Sequence, residues 1–201
     1  MQGKLIVFEG PDGVGKSDLV DRFCGALKRQ RVNVVSFAFP GKDDGTLGKL
    51  VYDVHHRPDE FGIKELTAAS LQLLHIAAHI DAIESRILPL LREGVTAVLD
   101  RFWWSTLVYG LVSKIDAGLL KGMIEVERQA WGSTTPTMVF MIDRSQPLRA
   151  EPPCWPEWRN AYFDLLSRER AHYPCLVVEN ERQIEQTEEV LLHTWDQIQQ
   201  P

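Results

Sequence analysis

The chain has 201 residues, 44 % hydrophobic and 25 % charged, a composition that suits one folded domain with a sizeable core and excludes a disordered chain. Its formal net charge of −6 argues against a broad nucleic-acid surface but leaves room for a local basic cleft. No apolar run reaches the length of a membrane span, and the first strand begins too early for a signal peptide. Cys24, Cys154 and Cys175 are odd in number and widely spaced, which reads as reduced thiols in a cytoplasmic protein.

Leu5-Ile6-Val7-Phe8 is an apolar run of strand length, and Leu19, Val20, Phe23 and Leu27 then recur at helical spacing. Residues 32–37 read as a second strand. The run from His55 to Glu60 reads as an exposed loop. Across residues 63–92, Leu66, Ala69, Leu73, Ile76, Ala77, Ile80, Ile83, Ile87 and Leu91 advance in steps of three and four. That spacing predicts one long helix with this core stripe, kinked by Pro89 and stopped at Gly94. Residues 95–99, 137–142 and 175–178 are further apolar strands, the first ending in Asp100-Arg101 and the second in Asp143. A last helix places Ile184, Thr187, Leu191, Trp195 and Ile198 on one face.

Continuous apolar strands separated by helices predict a three-layer α/β/α fold with a central, mostly parallel five-stranded sheet. One domain is expected over residues 1–201, with ligands at the carboxyl ends of the strands.

Between the first strand and the first helix, Gly10-Pro11-Asp12-Gly13-Val14-Gly15-Lys16-Ser17 satisfies G-x-x-x-x-G-K-[ST] at every fixed position. Such a turn aims backbone N–H groups and a helix N-terminus at one point, where phosphate oxygens are held. Lys16 is then placed to reach the β- and γ-phosphates, exposed in the cleft, and Ser17 to reach Mg²⁺. Glu9, Asp100 and Asp143 each end a strand, where a carboxylate can orient Mg²⁺ or cap a turn or helix. Arg101 offers a guanidinium fork for a second phosphate at the same edge.

With these residues in hand, the chain resembles the thymidylate kinases among the P-loop nucleoside monophosphate kinases. The resemblance rests on residues 8–17, on Phe39-Pro40-Gly41-Lys42 followed by Thr46-Leu47-Gly48-Lys49, on residues 73–79, and on residues 100–109, which match D-R-[YF]-x-x-S-x-x-[AV]-Y. Arg159-Asn160-Ala161-Tyr162 is similar to the R-x-x-Y that follows the family's lid. The resemblance implies transfer of the ATP γ-phosphoryl group to a nucleoside monophosphate, with Mg²⁺. It assigns ATP to Asp12, Gly13, Val14, Gly15, Lys16, Ser17 and Asp18. The acceptor falls to Asp12, Phe39, Pro40, Lys42, Arg101, Ser105 and Tyr109, and the metal to Ser17 and Asp100. Lys16, Arg101, Asp12 and Asp100 would carry catalysis by positioning and charge neutralisation. The expected partner is a small-molecule nucleotide, with no nucleic acid and no membrane, and a homodimer through the long helix suits the family.

The chain departs from the family pattern at two places. Where the family stacks the acceptor base on an aromatic residue and bonds it with Arg, this chain has His75 and His79, set off from the Leu73, Ala77 and Ile80 stripe. The pair can line an altered base pocket, satisfy solvent or core polar groups, or bind a metal. The lid spans only residues 144–158, stiffened by Pro147, Pro152, Pro153 and Pro156, with Arg144 and Arg149 as its cations toward ATP or as solvated surface groups. Of Trp103 and Trp104, at least one is expected near the cleft or at a subunit contact. A nucleoside kinase and a slow nucleotide-binding switch are the competing functional readings.

Overall fold

The computed structural model describes residues 3–199. Strand β1 (Leu5–Glu9) is buried along its whole length, as its unbroken apolar run requires. It is followed by α1 (Lys16–Arg29), β2 (Val34–Ala38), α2 (Leu47–His56) and a 3-10 turn (Pro58–Phe61). Next come α3 (Ala68–Ala82), a π-helical turn (Ile83–Ile87) and α4 (Leu88–Arg92), then β3 (Thr96–Asp100), α5 (Trp103–Val112) and α6 (Ala117–Trp131). The chain closes with β4 (Met138–Asp143), α7 (Trp155–Glu169), β5 (Cys175–Glu179) and α8 (Ile184–Gln199).

The five strands form one sheet in the order β2-β3-β1-β4-β5. Every pairing is parallel, with Ile6 beside Val98 and Phe8 beside Phe140. Residues alternate between the sheet's two faces. Leu5, Val7, Leu99, Val139 and Met141 pack against Ile83, Ile87, Trp104 and Tyr162. On the other side, Ile6, Phe8, Val98, Phe140 and Ile142 pack against Leu19, Phe23, Leu27, Leu191 and Trp195. The expected three-layer arrangement is therefore present. β1 lies at the centre, with one half of the chain built on each side, so the carboxyl end of β1 opens into the crevice where such sheets bind ligands.

Three local expectations change. His55 and His56 end α2 instead of lying in a loop, because Thr46 accepts a bond from the Lys49 N–H and caps a helix that buries Val51 and Val54. The long helix starts at Ala68, capped by Thr67, and widens into the π turn just before Pro89, whose missing N–H takes one rung out of the helical ladder. Its buried residues are Gln72, Ile76, Ala78 and His79, while Leu73 is 50 % exposed and Ala77 also faces outward. Trp103 and Trp104 are both buried in the core, and the Trp104 indole donates to the Tyr173 hydroxyl.

Candidate active site

At the carboxyl edge of β1, β2 and β3 lies a cleft of about 890 Å³. Gly10 leaves β1 at φ 137°, and a Cβ there would lie 2.2 Å from the Ile142 carbonyl oxygen, so only glycine fits the turn. Gly15 starts α1 in the left-handed region at φ 87°.

The carbonyls of residues 10–14 all accept hydrogen bonds. Lys16 Nζ donates to those of Gly10 and Pro11, each at 2.7 Å. The Trp155 indole donates to that of Asp12 at 2.7 Å, the Leu148 N–H to that of Gly13 at 2.8 Å, and Asn180 Nδ2 to that of Val14 at 2.8 Å. With its carbonyls already occupied, the loop keeps its N–H groups for an anion. The start of α7, the segment after β4 and the end of β5 thus shape the phosphate loop.

Lys16 is buried, contrary to the exposed lysine expected, because the loop's own carbonyls solvate its ammonium. Burial and then the charge of Arg101 bring its pKa down to about 8, against the pull of Asp100, Asp12 and Glu9. Ser17 Oγ donates to Asp100 Oδ2 at 2.5 Å, so a hydroxyl and a carboxylate meet at the helix entrance. The other two strand-end carboxylates do different work. Glu9 accepts from the N–H groups of Phe102 and Ser105 at the start of α5, and Asp143 holds Arg159 by two 2.7 Å contacts. Burial raises the Glu9 carboxyl above its ordinary range, against the lowering influence of Arg101 and its hydrogen bonds.

Arg101 occupies the left-handed region at φ 81°, a costly conformation for a residue with a Cβ, and its N–H bonds the Phe8 carbonyl at 2.9 Å. Its guanidinium pairs with Asp12, donates to Ser105 Oγ at 3.0 Å and lies over the Tyr109 ring. Tyr109 donates to the other Asp12 oxygen at 2.7 Å. Burial alone would raise the Asp12 carboxyl, but Arg101, then Lys16 and Tyr109, hold it below the ordinary range. Burial raises the Tyr109 hydroxyl, which stays protonated.

Gly13, Gly15, Asp18, Phe39, Pro40 and Lys42 also line the cleft. Val14, expected at the ATP site, turns into the core and does not line the cleft. The two lid cations separate. Arg149 lines the cleft beside Glu151, whereas Arg144 is committed to the Asn180 carbonyl and to Glu181 and does not line it.

His75 and His79 both line the far end. His79 is 2 % exposed, stacks on Phe39 at 4.1 Å between ring centroids, and places Nδ1 3.0 Å from the fully buried Glu127. Burial, then His79, His55 and Arg101, push the His75 imidazole down to about 2, so it stays neutral. Among the described residues, no cluster of three or more His, Cys, Asp or Glu side chains could hold a metal ion.

The sequence reading missed Tyr52, His55, His56 and Gln72 on the cleft wall, and Glu127 behind it. Glu127 could have been found: it interrupts the stripe Leu120, Met123, Ile124 and Trp131 that α6 buries.

The family model described as Thymidylate kinase matches residues 8–152. Curated relatives include the thymidylate kinase of Pelotomaculum thermopropionicum, 34 % identical over 145 residues, covering 71 % of this chain and 63 % of the relative. That of Chlorobium luteolum is 29 % identical over 142 residues, covering 69 % and 61 %. The matched region thus spans about three-fifths of the length of these relatives. Among solved structures, thymidylate kinase from Ehrlichia chaffeensis superposes with a TM-score of 0.79 at 20 % identity, covering 97 % of this chain and 100 % of that one.

Proposed function

This chain belongs to the thymidylate kinase family, and we propose that it transfers the γ-phosphoryl group of ATP, with Mg²⁺, to the phosphate of a nucleoside monophosphate, using an altered base pocket that contains His75 and His79. One observation carries this reading: a phosphate loop and a second cation, Arg101, face the same cleft. A hydrolase or switch needs the first alone. In this reading the loop N–H groups and Lys16 bind the donor phosphates, and Arg149 closes over them. Lys42, an exposed ammonium on the cleft wall, and Arg101 hold the acceptor phosphate. Asp12 keeps the Arg101 fork oriented until that phosphate replaces it, and Tyr109 packs against the sugar.

Ser17 and Asp100 supply the hard oxygen ligands that Mg²⁺ prefers, and they would hold it directly or through water. The bound ion supplies charge neutralisation between the donor phosphates. The reading also includes a homodimer through the long helix, whose Leu73 is exposed, and sedimentation measurements test that part.

Arg101→Ala tests the acceptor assignment. Loss of one charge-assisted contact costs roughly 1.5–3 kcal/mol, so the acceptor KM should rise about ten- to hundredfold while the ATP KM stays within about twofold. An equal rise for both substrates would refute it.

A further inference from the structure

The far end of the cleft holds a concentration of buried polar atoms without partners. Gln72 Oε1, His75 Nε2 and Thr106 Oγ1 are buried, make no hydrogen bond among the described residues, and belong to residues that line the cleft. Glu127 Oε1, also unpartnered, lies directly behind His79. Buried polar groups are normally satisfied, so such a grouping on a cleft wall marks where a ligand edge completes the bonding. The flat stack of Phe39 on His79 provides the apolar shelf beside it.

The polarity of this edge follows from Glu127. Its carboxylate, with no exposure to water, takes a hydrogen bond from His79 Nδ1 at 3.0 Å. With a single proton on the ring, that bond places it on Nδ1 and leaves Nε2 as a lone pair across the ring, ready to accept. Gln72 Oε1 is a second acceptor on the same wall. The unpartnered His75 Nε2 lies beside them and, in its Nε2–H tautomer, supplies a donor. Two acceptors next to one donor match an amino group, which donates twice, adjacent to a ring nitrogen, which accepts. A carbonyl oxygen in the amino position would face lone pairs.

We infer that this pocket selects a nucleoside monophosphate whose base carries an exocyclic amino group beside an unprotonated ring nitrogen, the cytosine or adenine pattern, over bases with a keto oxygen there. The inference rests on the acceptor site proposed above.

The test is titration calorimetry of the protein, without ATP, against CMP, dCMP, AMP, dAMP, UMP and dTMP. The cytosine and adenine nucleotides should bind at least about tenfold tighter than UMP and dTMP, since a site with fixed acceptors rejects a base that leaves them unpaired. The pyrimidine and purine arms separate cytosine from adenine. Glu127→Gln frees the His79 tautomer and should collapse the preference to within about threefold, with circular dichroism unchanged. His79→Arg puts a fixed donor in place of the acceptor and should reverse the ranking toward dTMP. Equal or tighter binding of dTMP by the unaltered protein overturns the inference. So does a preference that survives both substitutions. Turnover is scored separately: a monophosphate that binds in the predicted order but yields no diphosphate with ATP refutes the kinase reading and leaves the base ranking standing, whereas binding of no monophosphate refutes both.

Discussion

Replacing Glu9 by Ala should damage this protein far more than replacing it by Gln. Glu9 is fully buried, and its Oε1 accepts from the N–H groups of Phe102 at 2.7 Å and Ser105 at 3.0 Å. These are amide groups at the N-terminus of α5, whose own N-cap residue, Phe102, has no capping side chain. Oε2 accepts from the Ser105 hydroxyl at 2.8 Å and the Tyr162 hydroxyl at 3.1 Å. In Glu9→Ala the two hydroxyls can still bond each other across 2.8 Å and the Ser105 N–H keeps its 3.1 Å bond to the Phe102 carbonyl, but the buried Phe102 N–H has nowhere to turn. At about 1–3 kcal/mol for the orphaned donor and about 0.8 kcal/mol for the buried Cγ methylene, the loss is roughly 2–4 kcal/mol. That is a large part of the roughly 5–15 kcal/mol that holds an ordinary domain together.

In Glu9→Gln the carboxamide oxygen takes the place of Oε1, and the amide nitrogen donates to the hydroxyls, which rotate to accept. Because burial already favours the neutral carboxyl, loss of the charge adds little, and the cost should be about 1 kcal/mol or less. Equilibrium urea unfolding measures both variants, provided the slope with denaturant is unchanged. Equal destabilisation by the two substitutions, or an Ala variant within about 1 kcal/mol of the parent, would refute the view that Glu9 serves chiefly as the remote cap of α5.

Two more predictions concern the phosphate loop. Trp155→Phe keeps an aromatic ring in the core but removes the donor to the Asp12 carbonyl, so ATP affinity should fall by about 1–2 kcal/mol while acceptor affinity stays within about twofold; calorimetry with each ligand reads the split, and unchanged ATP binding would show that the indole does not shape the loop. Lys16, with its pKa brought down to about 8 from the ordinary 10.5, is mostly neutral in the free protein at pH 8.5, and ATP phosphates draw the proton back. Binding at that pH should therefore take up on the order of 0.7 proton, against about none at pH 6.5, as read from calorimetry in buffers of different ionisation enthalpy; the same uptake in a Lys16→Met variant would assign it elsewhere.

Much of the fold was legible because the strands are unbroken apolar runs and the loop motif bridges a strand and a helix. What escaped was any feature decided by contacts distant in sequence. The long helix is apolar on two sides, so its periodicity fitted Leu73 and Ala77 as well as Ile76 and Ile83, and the burial of His79 was settled by Glu127 on another helix. The burial of Lys16 depends on carbonyls that its own loop turns inward, a backbone property that residue types do not reveal. Arg144 and Arg149 looked equivalent as lid cations until Glu181 and the Asn180 carbonyl claimed the first. Glu9 and Asp143 looked like Asp100, three acids at three strand ends, but Asp100 meets the loop serine while Arg159 takes Asp143 and the first amides of α5 take Glu9.

The most direct test of the whole account is phosphorus NMR of ATP and Mg²⁺ incubated with each nucleoside monophosphate, and in parallel with the parent nucleosides. The account predicts that with at least one monophosphate two nucleoside diphosphate β-phosphorus nuclei, that of ADP and that of the acceptor, appear for each ATP lost, that no ATP is consumed with the nucleosides, and that the reaction disappears in a folded Lys16→Ala variant, which lacks the cation at the transferred group. Release of inorganic phosphate alone, or phosphorylation of nucleosides as fast as monophosphates, would contradict it.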